Sequence, residues 1–260
     1  MKCTFCFFLL LTSVCAFAQT KTLPSALFSW SKAPTKRSGT LVQRPVINGS
    51  TLDLKSLKVH TTTLAPGQRN HKPVAYADQE ELVIIKEGLL NVTINGNTTQ
   101  LGAGGLAMII AGDEQSVHNA SGKPVTYYVL IFKGKEAVNI ERGRKGGGSF
   151  IQDWAAYKVK PTDKGESRPI FDQPSSMFRR FEVHATALNP GFASHAAHTH
   201  RVEEIILMIK GTGEMQMGDV FHKAIPGDVM FVNSMVPHAI KNTGKEQCGY
   251  FAIQWHTNNP

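Results

Sequence analysis

The feature that most limits the fold is a pattern of short apolar runs written twice. "LVIIKEG", "LLNVTINGN", "LAMIIAGD", "TYYVLIF", "EIILMIKG", "DVMFVNS" and "GYFAIQW" each have strand length, β-branched or aromatic enrichment, and turn residues at their ends. No stretch has the period of a long amphipathic helix. Asn95-Gly96-Asn97 and Met217-Gly218-Asp219 read as hairpin turns. The runs recur in the same order. "EELVIIKEG" at 80–88 matches "EEIILMIKG" at 203–211, with Glu81 and Glu204 offset by 123 positions. Each copy continues with a hairpin, a Gly-containing turn ("GAGG" at 102–105, "PGD" at 226–228), an apolar strand, a His (His118, His238) and a polar turn. The expectation is an all-β chain of two tandem barrels, over 37–135 and 171–260, joined by a Gly- and Pro-rich connector at 136–170.

The first residues are read apart from the fold. "MKCTFCFFLLLTSVCAFAQT" has Lys2, an apolar stretch and small residues at Ala16 and Ala18, the pattern of a cleaved secretory signal over 1–18. Its apolar part is too short to span a bilayer. The expected location is therefore secreted or periplasmic, with no membrane attachment after cleavage. Cys3, Cys6 and Cys15 leave with the signal, so Cys248 has no partner for an intrachain disulfide. The formal charge of +8 becomes +7 without Lys2, and its basic residues are scattered apart from "ERGRKGGG" at 141–148. No basic helix or aromatic platform points to nucleic acid. A small anionic substrate suits the balance better. "GRKGGGSF" at 143–150 lacks a Walker spacing and reads as connector.

"HAAHTHRVEEIILMIKG" at 195–211 carries the chemistry. On a strand through 196–206, His198, His200 and Glu204 share parity and Glu203 points the other way. His238 belongs to a later strand that a closed barrel can bring alongside. A lone His-x-His is usually a solvated polar pair. The matched Glu, the Gly beyond it and the His after Pro-Gly-Asp favour a site. Three imidazoles and one carboxylate suit a divalent transition metal. The carboxylate inclines it to manganese or iron, with zinc, nickel or copper compatible. Four protein ligands leave positions open for substrate, the mark of a chemically active ion.

These residues resemble the cupin superfamily, whose first motif is Gly, His-x-His, three or four residues, Glu, six residues and Gly. Here it stands as Gly191, His198-Thr199-His200, Glu204 and Gly211. The second motif stands as Pro226-Gly227-Asp228, Pro237-His238 and Asn242. The resemblance implies two double-stranded β-helix (jelly-roll) barrels and a metal held by His198, His200, Glu204 and His238. In the first half, aligning Glu81 on Glu204 puts Ala75 and Ala77 at the His198 and His200 positions, keeps His118, and leaves His71 nearby. That barrel is expected to be a degenerate, structural copy. Within the bicupins the layout is similar to the ureidoglycine aminohydrolase-like members, which implies removal of ammonia from a ureido-type acid. Those enzymes place Glu, His, His and Gln around manganese, and only His200 keeps its residue type. The three-His, one-Glu set instead resembles that of oxalate decarboxylases and flavonol dioxygenases. A non-catalytic binding cupin is the third reading, and a barrel mouth without acid, base or cation would favour it.

Outside the ligand set, His195 and Gln254 are candidate catalytic residues. His195 could partner a ligand imidazole, and Gln254, on "YFAIQWH", could face the cavity. Met208, Met215, Met217, Met230 and Met235 are expected to fill the second core. Barrel edges allow a homodimer.

Overall fold

The computed structural model describes residues 22–257, and the expected signal at 1–18 lies outside the described residues. The chain forms two barrels, each a seven-stranded sheet facing a smaller one. In the first, the large sheet runs Phe150–Gln152, Leu106–Ile109, Glu80–Glu87, Val125–Gly134, Leu54–Leu64, Leu41–Gly49, Lys36–Ser38. In the second it runs Ala26–Phe28, Val229–Val232, Glu203–Lys210, Cys248–His256, Arg180–Leu188, Gly165–Gln173, Lys160–Thr162. Every pairing between these strands is antiparallel. Both hairpin turns fall where the sequence places them, with Asn95, Gly96 and Gly218 at positive φ.

Two features depart from a pair of independent domains. The short strand Ala26–Phe28, from the start of the chain, pairs with Val229–Val232 of the second barrel. The strand Phe150–Gln152, inside the expected connector, pairs with Leu106–Ile109 of the first. Each barrel thus has one edge covered by an arm from outside its expected span, which removes an open ladder. The stretch 136–170 is not a loose linker. It holds the helix Ile140–Lys145, the arm, Lys160–Thr162 and the start of Gly165–Gln173. Four of its five glycines are packed: a Cβ on Gly143, for one, would lie 2.8 Å from the Ser176 nitrogen.

The large sheets pack face to face, so their central strands are buried on both sides. This explains why these strands read as nearly continuous apolar runs. On Glu203–Lys210, Ile205 and Leu207 enter a core shared by both barrels, while Ile206 and Met208 enter the second barrel's interior. Leu82 and Ile84 against Val83 and Ile85 divide the same way in the first. Phe132 meets Trp255 edge-on across the shared core at 5.5 Å between ring centroids. Four of the five methionines fill the second interior as expected. Met235 instead stands in an exposed turn at φ +61°.

Two buried carboxylates tie the barrels together reciprocally. Glu203 accepts from the Thr51 hydroxyl (2.5 Å), the Leu52 and Asp53 N–H groups (2.8 and 3.2 Å) and the Trp255 indole (3.3 Å). Glu80, its counterpart 123 positions earlier, accepts from the Ser175 hydroxyl (2.7 Å), the Ser176 and Met177 N–H groups (2.6 and 3.2 Å) and the Ser176 hydroxyl. Burial pushes both carboxyls up, against the downward pull of these donors. Glu203→Ala should strand several buried donors and lower stability by on the order of 3 kcal/mol. Urea unfolding reads the loss. Glu141→Ala, on the exposed helix face, should leave the midpoint unchanged.

Candidate metal centre

The segment before Glu203–Lys210 does not form the strand expected over 196–202. Ladder pairing begins at Glu203. His198 makes only an isolated bridge to His238, with reciprocal N–H···O bonds of 3.2 and 3.0 Å. The chain then bends, because the His200 side chain returns to its own backbone: its Nδ1 lies 2.8 Å from the Val202 carbonyl oxygen. The Met235 N–H holds the His200 carbonyl at 2.8 Å. Convergence therefore comes from a bridged loop, not from strand alternation alone.

His238 is anchored like His200, with Nδ1 2.9 Å from the Val236 oxygen. In each ring Nδ1–H donates outward and Nε2 points inward, an acceptor when the ring is neutral. Those Nε2 atoms are buried and have no hydrogen-bond partner. They nevertheless approach one carboxylate oxygen, Glu204 Oε2, at 3.0 Å from His238 and 3.6 Å from His200. This close approach without hydrogen-bond alignment is what ligand atoms show when aimed at a shared point. Atoms bound about 2.1 Å from one ion lie about 3 Å apart when adjacent. One ligand nitrogen each from His198, His200 and His238 lies within 4.8 Å of the others. The donor set therefore fits a divalent cation.

Burial alone would raise the Glu204 carboxyl, but His200, His238 and Gln254 outweigh it and hold it at about 2. Contact with Glu204 raises His200, while burial and the neighbouring imidazoles lower His198. Gln254 lies in the cavity and donates to Glu204 Oε1 at 3.1 Å. His195 is exposed at the mouth, its Nδ1 2.9 Å from His198 Nδ1 and 3.0 Å from the Ala196 oxygen. The two residues expected near the ligands thus each touch one of them.

The cavity above the cluster has a volume of about 470 Å³. Ile206, Met215, Ile240 and Ala252 give it an apolar wall. Its mouth carries Lys164, Glu166 and His184 besides His195, so acid, base and cation are all present. Lys164 donates to the Ser194 oxygen at 2.7 Å. Sequence reading missed Lys164 and His184. Lys164 sits in the expected connector, and only the pairing of 165–173 with 180–188 brings it to the mouth.

The first barrel keeps a cavity and loses the cluster. The 123-residue offset itself places Gln115 on His238, whereas for His198 and His200 the ungapped alignment fails. Gln115 pairs with Ile94 as His238 pairs with Met217, so Gln115, not His118, is the counterpart of His238. Gln115 faces Val74 as His238 faces His198. The Gly112 N–H bonds the Tyr76 carbonyl as the Met235 N–H bonds that of His200. Val74 and Tyr76, not Ala75 and Ala77, therefore occupy the ligand positions. Three residues separate Tyr76 from Glu80 where two separate His200 from Glu203, and that extra residue displaces the alignment. Glu81 stays buried, with Gln79 and Gln115 amides donating at 2.5 and 3.3 Å.

Residues 60–131 and 185–254 each match the family model of the cupin domain. Among solved structures, the chain is similar to protein Ylba from E. coli, at TM-score 0.71 and 13% identity, covering 95% of this chain and 96% of that one. A Pseudomonas aeruginosa protein named for induction by glyoxylate gives TM-score 0.70 and 19% identity over 95% and 92% of the two chains. Oxalate decarboxylase from Lactobacillus farciminis, in complex with formate, gives 0.68 and 15% over 92% and 88%. At these identities the likeness is one of fold. No curated protein sequence matches the chain significantly.

Proposed function

The chain belongs to the cupin family, and from that premise we propose that its second barrel is a metal-dependent catalytic centre for a small anionic metabolite. His198, His200, Glu204 and His238 hold one divalent ion, manganese or iron in this reading. The observation that carries it is the pair of buried, unpartnered Nε2 atoms, each on a ring locked at Nδ1 by a carbonyl. When bound, the ion supplies a Lewis acid that draws charge from a substrate oxygen. The other roles belong to the chain itself. Gln254 fixes the free oxygen of Glu204. His195 and His198 face each other through Nδ1 atoms, so one holds a proton and the other accepts it, which equips the mouth for proton transfer. Lys164 offers the mouth a cation for an anionic substrate, and the apolar wall limits water.

The ligand set favours a decarboxylase- or dioxygenase-type reaction on a small carboxylate. The fold shared with oxalate decarboxylase supports that class. Removal of ammonia from a ureido-type acid is the second reading, favoured by the layout in which only the second barrel has its imidazoles. The charged mouth supports catalysis over simple binding. Export to the periplasm or beyond is part of the proposal and rests on the sequence at 1–18.

Elemental analysis of protein purified without chelators should give one equivalent of metal per chain, not two. His200→Ala should lose it with the fold retained, as circular dichroism will show, and Gln115→Ala should keep it. Carbon dioxide release, oxygen uptake and ammonia release, assayed on oxalate and ureido acids, then separate the reactions. Absence of stoichiometric metal in folded wild type would overturn the reading.

Metal affinity should also fall with pH. A ligand imidazole must shed its proton, and Glu204 raises His200 above its ordinary 6.5. Loss of affinity should therefore begin above pH 6.5 on acidification, measured by competition with a chromophoric chelator.

A further inference from the structure

The bend that carries His200 is held from the other barrel. Residues 200, 202 and 204 serve the site: His200 and Glu204 face it, and the Val202 carbonyl anchors the His200 ring. The alternating residues 201 and 203 reach across the interface. Arg201 forks onto Asp53 of the first barrel, Nη1 to Oδ2 at 3.0 Å and Nη2 to Oδ1 at 2.9 Å. Asp53 is 3% exposed, and its own N–H donates to Glu203 at 3.2 Å. A planar fork on a buried carboxylate fixes direction as well as distance. Asp53 thus grips the chain on both sides of Val202, whose carbonyl sets the tautomer of His200.

We propose that Asp53 is a positioning residue for the metal centre of the second barrel, acting through Arg201 on the His200–Val202 bend. The metal part of this inference rests on the function proposed above. The first barrel, with Val74, Tyr76 and Gln115 at the positions of the three imidazoles, then supplies rigidity to its neighbour's ligands. The mirror-related contact makes an internal control. Ser175 bonds Glu80 at the same interface, in the position that Thr51 holds for Glu203, and touches no bend of the ligand loop.

Two readouts test the proposal, one of them independent of metal. In metal-free protein the His200 Nδ1–H, bonded to Val202, should give a protected imidazole resonance in proton–nitrogen correlation spectra. Asp53→Asn should broaden or abolish it and leave that of His238, while Ser175→Ala should leave both. In the chelator competition, Asp53→Asn and Arg201→Gln should each weaken metal binding about 10- to 100-fold, the range for outer partners of a ligand. The double variant should cost less than the sum of the two single ones, because both remove the Arg201–Asp53 fork. Ser175→Ala should lower thermal stability without moving affinity. An unchanged His200 resonance together with unchanged affinity in Asp53→Asn would overturn the positioning role. If folded wild type binds no metal, the proposed function fails, and the resonance alone decides whether Asp53 orders the bend.

Discussion

The strand Glu203–Lys210 is buried on both faces, and the rest of the molecule is arranged around that constraint. Two glutamates stand side by side at its start and point opposite ways. Glu203 looks into the shared core and is met by a hydroxyl, two backbone amides and an indole. Glu204 looks into the barrel and is met by two imidazoles and an amide. A slip of one residue would exchange the two and set each carboxylate among the other's partners. Register is therefore fixed by charge as well as by the alternation of Ile205 and Leu207 against Ile206 and Met208. The same chemical group joins the barrels on one face and prepares the site on the other.

The first barrel shows what remains when the imidazoles go. Its fold markers persist: Asn119 and Asn242 each close the polar turn with two side-chain N–H bonds to carbonyls. Gly88 and Gly211 each end the central strand at positive φ, where a Cβ would strike the carbonyl oxygen of Pro124 or Gln247. The carboxylate persists too, as Glu81. A buried carboxylate without donors is costly. Gln79 and Gln115 meet that need, and Gln115 does so from the place of the lost His238. In this barrel amides stand around the buried acid where the second barrel has imidazoles.

Much of this was legible in the sequence because it is local or repeated. Strand-length runs, two Asx-Gly or Gly-Asp turns and a motif copied at an offset of 123 lead to two barrels. His-x-His followed by Glu and a late His leads to one cluster. What escaped has two causes. One extra residue between Tyr76 and Glu80 shifts the comparison of the halves, and no spacing rule reveals it without the pairing partners Gln115 and Gly112. Long-range exchange is the other cause. Ala26–Phe28 and Phe150–Gln152 are too short to announce which barrel they join, and Asp53 bears no sequence mark of its tie to Arg201.

The anchoring of the two rings explains how the cluster differs from a chance gathering of histidines. An imidazole free to turn can present either nitrogen, and burial would select the orientation in which both are satisfied. Here the Val202 and Val236 carbonyls each take one proton, so in the neutral ring the opposite nitrogen is an acceptor. A buried acceptor left without a donor costs about 1–3 kcal/mol. Two of them stand around a carboxylate, which cannot donate while it is ionised. Protein groups that satisfy Nδ1 while leaving Nε2 facing an anion favour a positive charge between them, a metal ion or the proton of an imidazolium, which is why contact with Glu204 raises His200. The folded barrel thus carries an electrostatic deficit at one point, and an ion placed there would couple metal binding to the stability of the bend that creates it.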